Sequence, residues 1–144
     1  MEAEHMPKEI IKSVIFCEQI RAEITGYQTI IGAYPGRVVV PFLPVILRQF
    51  WIRFEVFTNG EIINSFDVRL LDPSGNEKIK YTLTINFIDY SRPGALAIIS
   101  NDLQVDEAGI YKLQARRDEN SDWINIRELF IDMLSPQSEE PKMQ

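Results

Sequence analysis

The side chains that most often perform chemistry are scarce in this sequence. Its single histidine, His5, lies close to the first residue, and its single cysteine, Cys17, follows an apolar run. A serine or cysteine nucleophile needs a neighbouring base, which is usually a histidine. A zinc site needs three or four ligands, mostly Cys and His. The residue types therefore predict no nucleophilic hydrolase and no zinc centre, and we expect Cys17 to be a buried structural thiol.

The segment DENSD is the best candidate for a metal site. Asp118, Asn120 and Asp122 alternate as at the start of a calcium-binding loop. The sixth position of such a loop should be glycine and the twelfth glutamate, but here they are Trp123 and Leu129. We therefore interpret DENSD as the polar tip of a hairpin, and we predict no catalytic residue, no metal and no cofactor.

The charge balance and the cysteine count limit the partners and the compartment. The chain has 15 Lys and Arg residues against 21 Asp and Glu residues, a net charge of −6 at pH 7. Proteins that bind nucleic acids neutralise phosphates with basic side chains, so this balance argues against DNA or RNA as a partner. No stretch approaches the roughly 20 apolar residues of a membrane-spanning helix. A chain with one cysteine cannot form an internal disulfide, and we expect it in the cytoplasm.

Alternation of apolar and polar side chains dominates the middle of the chain. In QFWIRFEVF, IINSFDVRLL and EKIKYTLTINF, apolar residues occupy every second position, which is the period of a half-buried β-strand. Asn59 and Gly60 lie between the first two segments and favour a tight type I′ hairpin. Asp72, Pro73 and Gly75 favour a second turn before the third segment. Together the segments predict an antiparallel meander with one solvent-facing side.

Further strands are predicted at KSVIFCEQI, YQTIIGAY, RVVVP, ALAIIS, IYKLQARR and WINIRELFID. The last of them changes phase, which indicates a bulge near Arg127 or Glu128. The prolines of PFLP favour a buried crossover between sheets over an exposed P-x-x-P ligand. Eight or nine short strands indicate a sandwich or barrel. We expect a flexible leader at 1–11, a sandwich domain at 12–134 and a disordered tail at 135–144.

The segment VDEAGIYKL indicates the type of sandwich. Immunoglobulin-like domains have a tyrosine near the start of a late strand, and its hydroxyl bonds to the backbone a few residues upstream. Glu107, Gly109 and Tyr111 follow the order of that corner, and Leu113 stands where antibody domains have a cysteine. We therefore predict an immunoglobulin-like antiparallel β-sandwich of about eight or nine strands. The alternative is an ordinary turn followed by a strand with Tyr111 at its edge.

Five short segments carry a resemblance to a known family: IFCEQI, TGYQTIIGAY, PFLP, VDEAGIYKL and IRELFID. With these the chain resembles a family of short, functionally uncharacterised bacterial proteins, each a single immunoglobulin-like sandwich. The likeness covers roughly Val14 to Asp132. The motifs are structural, so the resemblance implies the fold and no activity.

Trp51 is the residue that most favours a binding function. It shares a parity with Arg53 and Phe57, opposite the apolar side of its strand. Aromatic residues and arginine are enriched at the centres of interfaces, so we predict a protein-binding patch formed by these three residues. Two alternatives remain: a neighbouring segment covers Trp51, or Trp51 belongs to the core.

The function predicted from these features is a non-catalytic protein-binding or assembly module of a bacterial or phage system. Its partner is a protein or a second copy, bound through an edge strand or the aromatic patch. The alternative is a structural component of a phage particle or secretion apparatus. A small enzyme with an unrecognised carboxylate site is less favoured.

Overall fold

The computed structural model describes residues 8–134. Its strands are β1 (Ile11–Ala22), β2 (Gln28–Tyr34), β3 (Arg37–Val40), β4 (Val45–Val56), β5 (Ser65–Leu71), β6 (Glu77–Thr84), β7 (Gly94–Val105), β8 (Gly109–Arg116) and β9 (Ile124–Met133). The first sheet has the order β2-β1-β4-β7, and the second has the order β3-β9-β8-β5-β6. The chain is therefore all-β, and its two sheets form a β-sandwich.

The core lies between the two sheets and follows from the alternation of the strands. Every second side chain is fully buried from Phe50 to the end of β4 and along β5, as the sequence period predicts: Phe50, Ile52, Phe54, Val56, Phe66, Val68 and Leu70. Phe54 of the first sheet meets Phe66 of the second edge to face, with ring centroids 6.2 Å apart. Full burial of one such side chain contributes about 1.5–3 kcal/mol. The two apolar sides therefore stabilise the sandwich by packing against each other.

The predicted hairpin between β4 and β5 is wrong. Asn59 and Gly60 have the positive φ values that a type I′ turn requires, 56° and 87°. Their turn nevertheless lies in a connection between the first sheet and the second, so β4 is not part of the predicted meander. Only β5 and β6 pair as expected, with Phe66 opposite Leu83. Alternation shows which side of a strand is buried, but not whether its neighbour in sequence lies beside it or across the core.

The crossover predicted at PFLP is present, because these residues join β3 of the second sheet to β4 of the first. The expected burial of its apolar residues holds only in part: Leu43 and Val45 pack against the core, but Phe42 is 60% exposed and Ile46 is exposed as well. The irregularity predicted near Arg127 also occurs. Leu113 pairs with Arg127, whereas the next residue, Gln114, pairs with Asn125.

The first described residues already contribute to the core. Residues 8–10 are helical, β1 begins at Ile11, and both Ile10 and Ile11 are buried. Residues 1–7 of the predicted leader and the predicted tail at 135–144 lie outside the described residues. Among residues 8–134, no helix has the length and apolar composition needed to cross a membrane.

Candidate functional site

Trp51 lies on the outward side of the first sheet, away from the core. In the register of the sheet it is paired with Cys17 of β1 and with Ile99 of β7. Side chains paired across adjacent strands point to the same side, so these three form a row across the sheet. Cys17 is fully buried, the Trp51 residue is half-buried, and Ile99 is 45% exposed. The row therefore becomes more exposed toward β7.

The hairpin formed by β1 and β2 folds over part of this outward side. Arg53 Nε donates a hydrogen bond to Gln28 Oε1 at 2.6 Å. In the sheet, however, Arg53 is level with Ile15 and Gln28 is level with Ala22. Seven residues of extended strand span about 23 Å, more than the two side chains can bridge. The hairpin must therefore leave the plane of the sheet and curl back over β4.

An open groove separates the curled hairpin from the start of β7. It has a volume of about 680 Å³ and is lined chiefly by Tyr27, Gln28, Ile30, Arg53, Glu55 and Ala95. Tyr27 is 77% exposed, and the two charged side chains have opposite signs. We call this feature the hairpin groove. An exposed aromatic ring beside an aliphatic side chain and an arginine is typical of protein-binding surfaces.

The indole N–H of Trp51 has no hydrogen-bond partner. Among the side-chain nitrogen and oxygen atoms of residues 8–134, its Nε1 is the one that is buried and unpaired. A buried donor without a partner costs about 1–3 kcal/mol, and such donors are rare in native proteins. The outward side of the first sheet is therefore where the fold leaves a polar group unsatisfied.

The structure brings together two of the three residues predicted to form the patch. Trp51 and Arg53 alternate along β4, and both are half-buried on its outward side. Phe57 follows the last residue of β4, and its backbone N–H donates to the Ile10 carbonyl oxygen at 2.9 Å. Four residues of strand separate Phe57 from Arg53 by about 13 Å. Phe57 therefore does not adjoin Trp51 and Arg53 in the predicted patch.

Sequence reasoning missed Ile99 and the hairpin groove. Ile99 belongs to ALAIIS, where neighbouring positions are apolar on both sides of the strand, so the pattern does not show which residues face outward. The groove depends on the curl of the β1–β2 hairpin over β4. The hydrogen bond associated with this curl joins Arg53 and Gln28, which are distant in the chain. No local signal in the sequence marks it.

The corner predicted at Glu107, Gly109 and Tyr111 is a structural element. The Tyr111 hydroxyl donates to the Glu107 carbonyl oxygen at 2.7 Å, and Tyr111 is fully buried. Burial raises the pKa of Tyr111 to about 12, so its hydroxyl stays protonated and keeps donating. Gly109 has a φ of 138°, and a Cβ at this position would lie 2.8 Å from the Pro73 Cγ. These contacts fix the turn that leads into β8.

Cys17 and Asp118, which the sequence offered as candidates for chemistry, both lie in environments that suit a structural role. Burial raises the pKa of the Cys17 thiol, although a backbone hydrogen bond from Gln19 and the charge of Arg53 partly oppose this. The Asp118 carboxylate accepts hydrogen bonds from the Asn120 N–H at 2.9 Å and the Ser121 hydroxyl at 3.0 Å, and so forms a turn. In the described part of the chain, no three His, Cys, Asp or Glu side chains are grouped so as to hold a metal ion.

The outward side of the second sheet carries the other tryptophan. The Trp123 ring lies between the guanidinium groups of Arg69 and Arg116, 4.2 Å and 4.3 Å from their carbon atoms. Arg116 donates to Asp67 at 2.9 Å, and Arg69 donates to Glu77 at 3.0 Å. Each cation therefore has both an aromatic ring and a carboxylate as partners within the fold.

Comparison with protein families gives a match over most of the chain. A model described as a family of unknown function (DUF6941) matches residues 12–124, which include Trp51, the hairpin groove and the Tyr111 corner. This agrees with the uncharacterised status of the family that the sequence motifs resemble. A search of curated proteins finds no match.

Proposed function

The chain belongs to DUF6941, a family of unknown function, and we propose that it is a non-catalytic protein-binding or assembly module of a bacterial or phage system. Its binding surface is the outward side of the first sheet, from Trp51 and Ile99 to the hairpin groove. One observation carries this proposal: two large apolar side chains on this surface, Tyr27 and Ile99, are 77% and 45% exposed. The fold alone gives neither group a favourable environment.

The exposed apolar residues of this surface favour a protein as the partner. Tyr27 and Ile99 both expose a large part of their side chains. Removal of apolar surface from water is worth about 25 cal/mol per Å², so a partner that covers these residues gains affinity. Arg53 and Glu55 at the groove add one charge of each sign, which supplies polar contacts and specificity.

The state of the single thiol supports a non-catalytic role. Cys17 lies next to Trp51 in the row, where it is fully buried. Because burial raises its pKa, the thiol stays protonated, whereas a cysteine nucleophile acts as the thiolate. Arg53, the nearest charged side chain in β4, is engaged by Gln28. These groups are arranged for packing and hydrogen bonding.

We extend the proposal to the type of fold and the compartment. The Tyr111 to Glu107 hydrogen bond supports an immunoglobulin-like sandwich, since this bond is a feature of such domains. The single, reduced cysteine supports a cytoplasmic location.

The proposal is tested by capture of a partner and measurement of its affinity. The purified chain is used as bait in an extract of its source cells, the retained protein is purified, and its Kd is measured by calorimetry. We expect Trp51→Ala to weaken binding about 30-fold, which corresponds to about 2 kcal/mol. Thermal unfolding of each variant identifies a temperature at which all chains are folded.

Trp123→Ala is the matched control, because it makes the same replacement on the outward side of the second sheet. We expect it to leave the Kd unchanged at a temperature where the variant is folded. Equal affinities for the wild type and Trp51→Ala, or a loss confined to Trp123→Ala, would show that the first sheet is not the binding surface.

A further inference from the structure

We infer that the hairpin formed by β1 and β2 has a second position, in which it straightens and pairs with the first half of β4. In the curled position described above, the hairpin forms the hairpin groove. In the straight position the groove is absent. The hairpin thereby regulates the proposed binding surface. This consequence rests on the proposed function, whereas the straight position itself can be tested in the chain alone.

The first half of β4 has a free edge. β4 pairs with β7 from Val45 to Val56. On its other side it pairs with β1 only from Trp51 to Val56, because that pairing ends at Cys17. Within residues 8–134, residues 45–50 therefore have no strand partner on the side of β1. A free edge of this kind is a template for pairing with another strand.

The space beside this edge is open. A trough of about 660 Å³ extends from the base of the hairpin across β4 to β7, and its lining includes Glu18, Tyr34, Ile46 and Arg48. Glu18 and Tyr34 belong to the part of the hairpin that leaves the sheet. A β1 strand that continued straight would enter this trough alongside β4.

The hairpin has a hinge at Glu18 and Gly32. The ladder between β1 and β2 is present on both sides of these two residues but omits the pair itself. Gly32 has a φ of 65°, a conformation that other residues adopt only with strain, and a Cβ at this position would lie 2.6 Å from Glu18 Oε1. Hinges are a few residues that absorb a change in φ and ψ, and Gly32 is suited to this role.

The curled position has favourable contacts and one unfavourable consequence. Arg53 donates to Gln28, and Ile20 is buried although it lies beyond the last residue of β1 that pairs with β4. The hairpin leaves the sheet at the level of Trp51 and reaches Arg53, so its path crosses the outward side at Trp51. The indole N–H is enclosed there without a hydrogen-bond partner. Straightening returns this donor to water.

The straight position exchanges these contacts for strand pairing. Cys17 lies opposite Trp51, and each step forward along β1 is one step back along β4. A straight β1 therefore places Ala22 opposite Ile46, and backbone hydrogen bonds form along the free half of β4. Each position thus satisfies groups that the other leaves without partners, as a two-position element requires.

The two positions differ in whether the proposed binding surface is complete. Tyr27 and Gln28 line the hairpin groove together with Arg53 and Ala95, which belong to β4 and β7. Straightening removes the first two residues from the last two. A partner that binds the groove therefore binds the curled position and shifts the population toward it.

A disulfide between positions 22 and 46 detects the straight position. In the curled position Ala22 pairs with Gln28, which contacts Arg53, and Arg53 is seven residues or about 23 Å along β4 from Ile46. In the straight position residues 22 and 46 face each other at a distance that a disulfide spans. Both side chains are exposed, so their replacement by cysteine leaves the core unchanged.

We expect diamide to form this disulfide within single chains of Ala22→Cys/Ile46→Cys. Mass spectrometry of the linked peptides distinguishes it from a bond to the native Cys17. Ala22→Cys/Ile110→Cys is the matched control, because Ile110 is another exposed isoleucine and lies in β8 of the second sheet. Neither position of the hairpin brings residue 22 to residue 110, so this pair should stay reduced.

The hinge is tested by adding Gly32→Val to the first cysteine pair. Valine disfavours the positive φ of the curled position, and we expect the disulfide to form about tenfold faster. Gly75→Val is the control, since Gly75 also has a positive φ, 93°, but lies in the turn between β5 and β6 with no atom near its Cβ. It should leave the rate unchanged. Thermal unfolding identifies a temperature at which both variants are folded.

The captured partner tests the regulation. At ten times its Kd it should slow disulfide formation about tenfold, because it holds that share of the chain in the curled position. The oxidised chain should lose its affinity for the partner, and reduction should restore it. Equal rates with and without the partner would contradict the regulation.

The straight position is overturned if Ala22→Cys/Ile46→Cys stays as reduced as its control. That result would leave the proposed function intact, because the curled position still forms the groove. Conversely, a disulfide that forms in the free chain confirms the straight position even where Trp51→Ala leaves the affinity for the partner unchanged. The two proposals therefore fail separately.

Discussion

On the outward side of the second sheet, the Trp123 ring lies between two arginines that also bind carboxylates. On the outward side of the first sheet, Trp51 has a buried indole N–H without a partner and lies next to the exposed Ile99. Trp123 thus has its contacts within the chain, whereas Trp51 leaves a hydrogen-bond donor unpaired. A tryptophan that the sequence places on the outward side of a strand therefore indicates a binding site only under one condition. Its neighbours in the fold must not already pack against the ring and bond to the indole N–H.

The difference arises from what each sheet places beside its tryptophan. β5, β6 and β8 present charged and amide side chains outward, and these bond to one another across the strands. β1, β4 and β7 place Cys17 and Ile99 beside Trp51. If this difference is real, side-chain contacts on the outward side of the second sheet should contribute to stability, and the contacts of Trp51 on the first sheet should contribute little.

Trp123→Ala should have the largest effect on stability. It removes two cation–π contacts and the packing of the ring, and we expect a loss of about 3 kcal/mol in the free energy of unfolding, measured by urea denaturation. Trp123→Phe, which keeps a smaller ring between the arginines, should recover much of this loss. A loss below about 1 kcal/mol for Trp123→Ala would show that the stacked surface contributes little.

Asp67→Ala should cost about 2 kcal/mol. Asp67 accepts hydrogen bonds from Arg116 at 2.9 Å and from Thr82 at 2.8 Å, and its removal leaves a mostly buried guanidinium without its carboxylate. Asp132→Ala is the control, because the Arg37–Asp132 pair is exposed and should be worth less than about 1 kcal/mol. Equal losses for the two variants in chemical denaturation would contradict the special role of Asp67.

Tyr111→Phe should cost about 0.5–1.5 kcal/mol at neutral pH, the usual net contribution of one hydrogen bond. Because the pKa of Tyr111 is about 12 in the fold against an ordinary value of 10.0, folding favours the neutral hydroxyl. Its contribution is complete below pH 10 and is lost as the pH rises from 10 to 12. Denaturation across this range should therefore show a steeper loss of stability for the wild type than for Tyr111→Phe. Parallel curves would mean that the fold does not bury the Tyr111 hydroxyl, since burial is the main cause of its raised pKa.

Trp51→Phe should have the smallest effect, below about 0.5 kcal/mol. The change removes some buried area, but it also removes the donor that the fold leaves unpaired, and the two effects oppose each other. The same denaturation experiment measures it. A loss above about 2 kcal/mol would show that the indole N–H or the larger ring is well accommodated, and the contrast between the two outward sides would disappear.

The local features of the fold could be predicted from the sequence. The buried side of β4 follows from the alternation of Phe50, Ile52 and Phe54, since a period of two fixes the two sides of a strand. The corner at Tyr111 could also be anticipated, because its hydrogen bond joins residues four positions apart. In both cases the information lies within a few consecutive residues.

The non-local features could not be predicted. The Asn59–Gly60 turn has the local conformation of a hairpin, yet the strands around it belong to different sheets. The stack of Trp123 on Arg69 and Arg116 and the hydrogen bond from Arg53 to Gln28 depend on which strands meet. Trp51 and Arg53 were correctly placed on one side of β4, but the neighbours that decide their environment come from β1, β2 and β7.

The most direct test of the binding surface uses the two tryptophans as reporters, one on each outward side. In a ¹⁵N-labelled chain, Trp51→Phe and Trp123→Phe assign the two indole N–H signals, and the captured partner is then added to the wild type. We expect the Trp51 signal to shift or broaden on binding while the Trp123 signal keeps its position. A shift of the Trp123 signal with the Trp51 signal unchanged would place the partner on the second sheet and contradict the account.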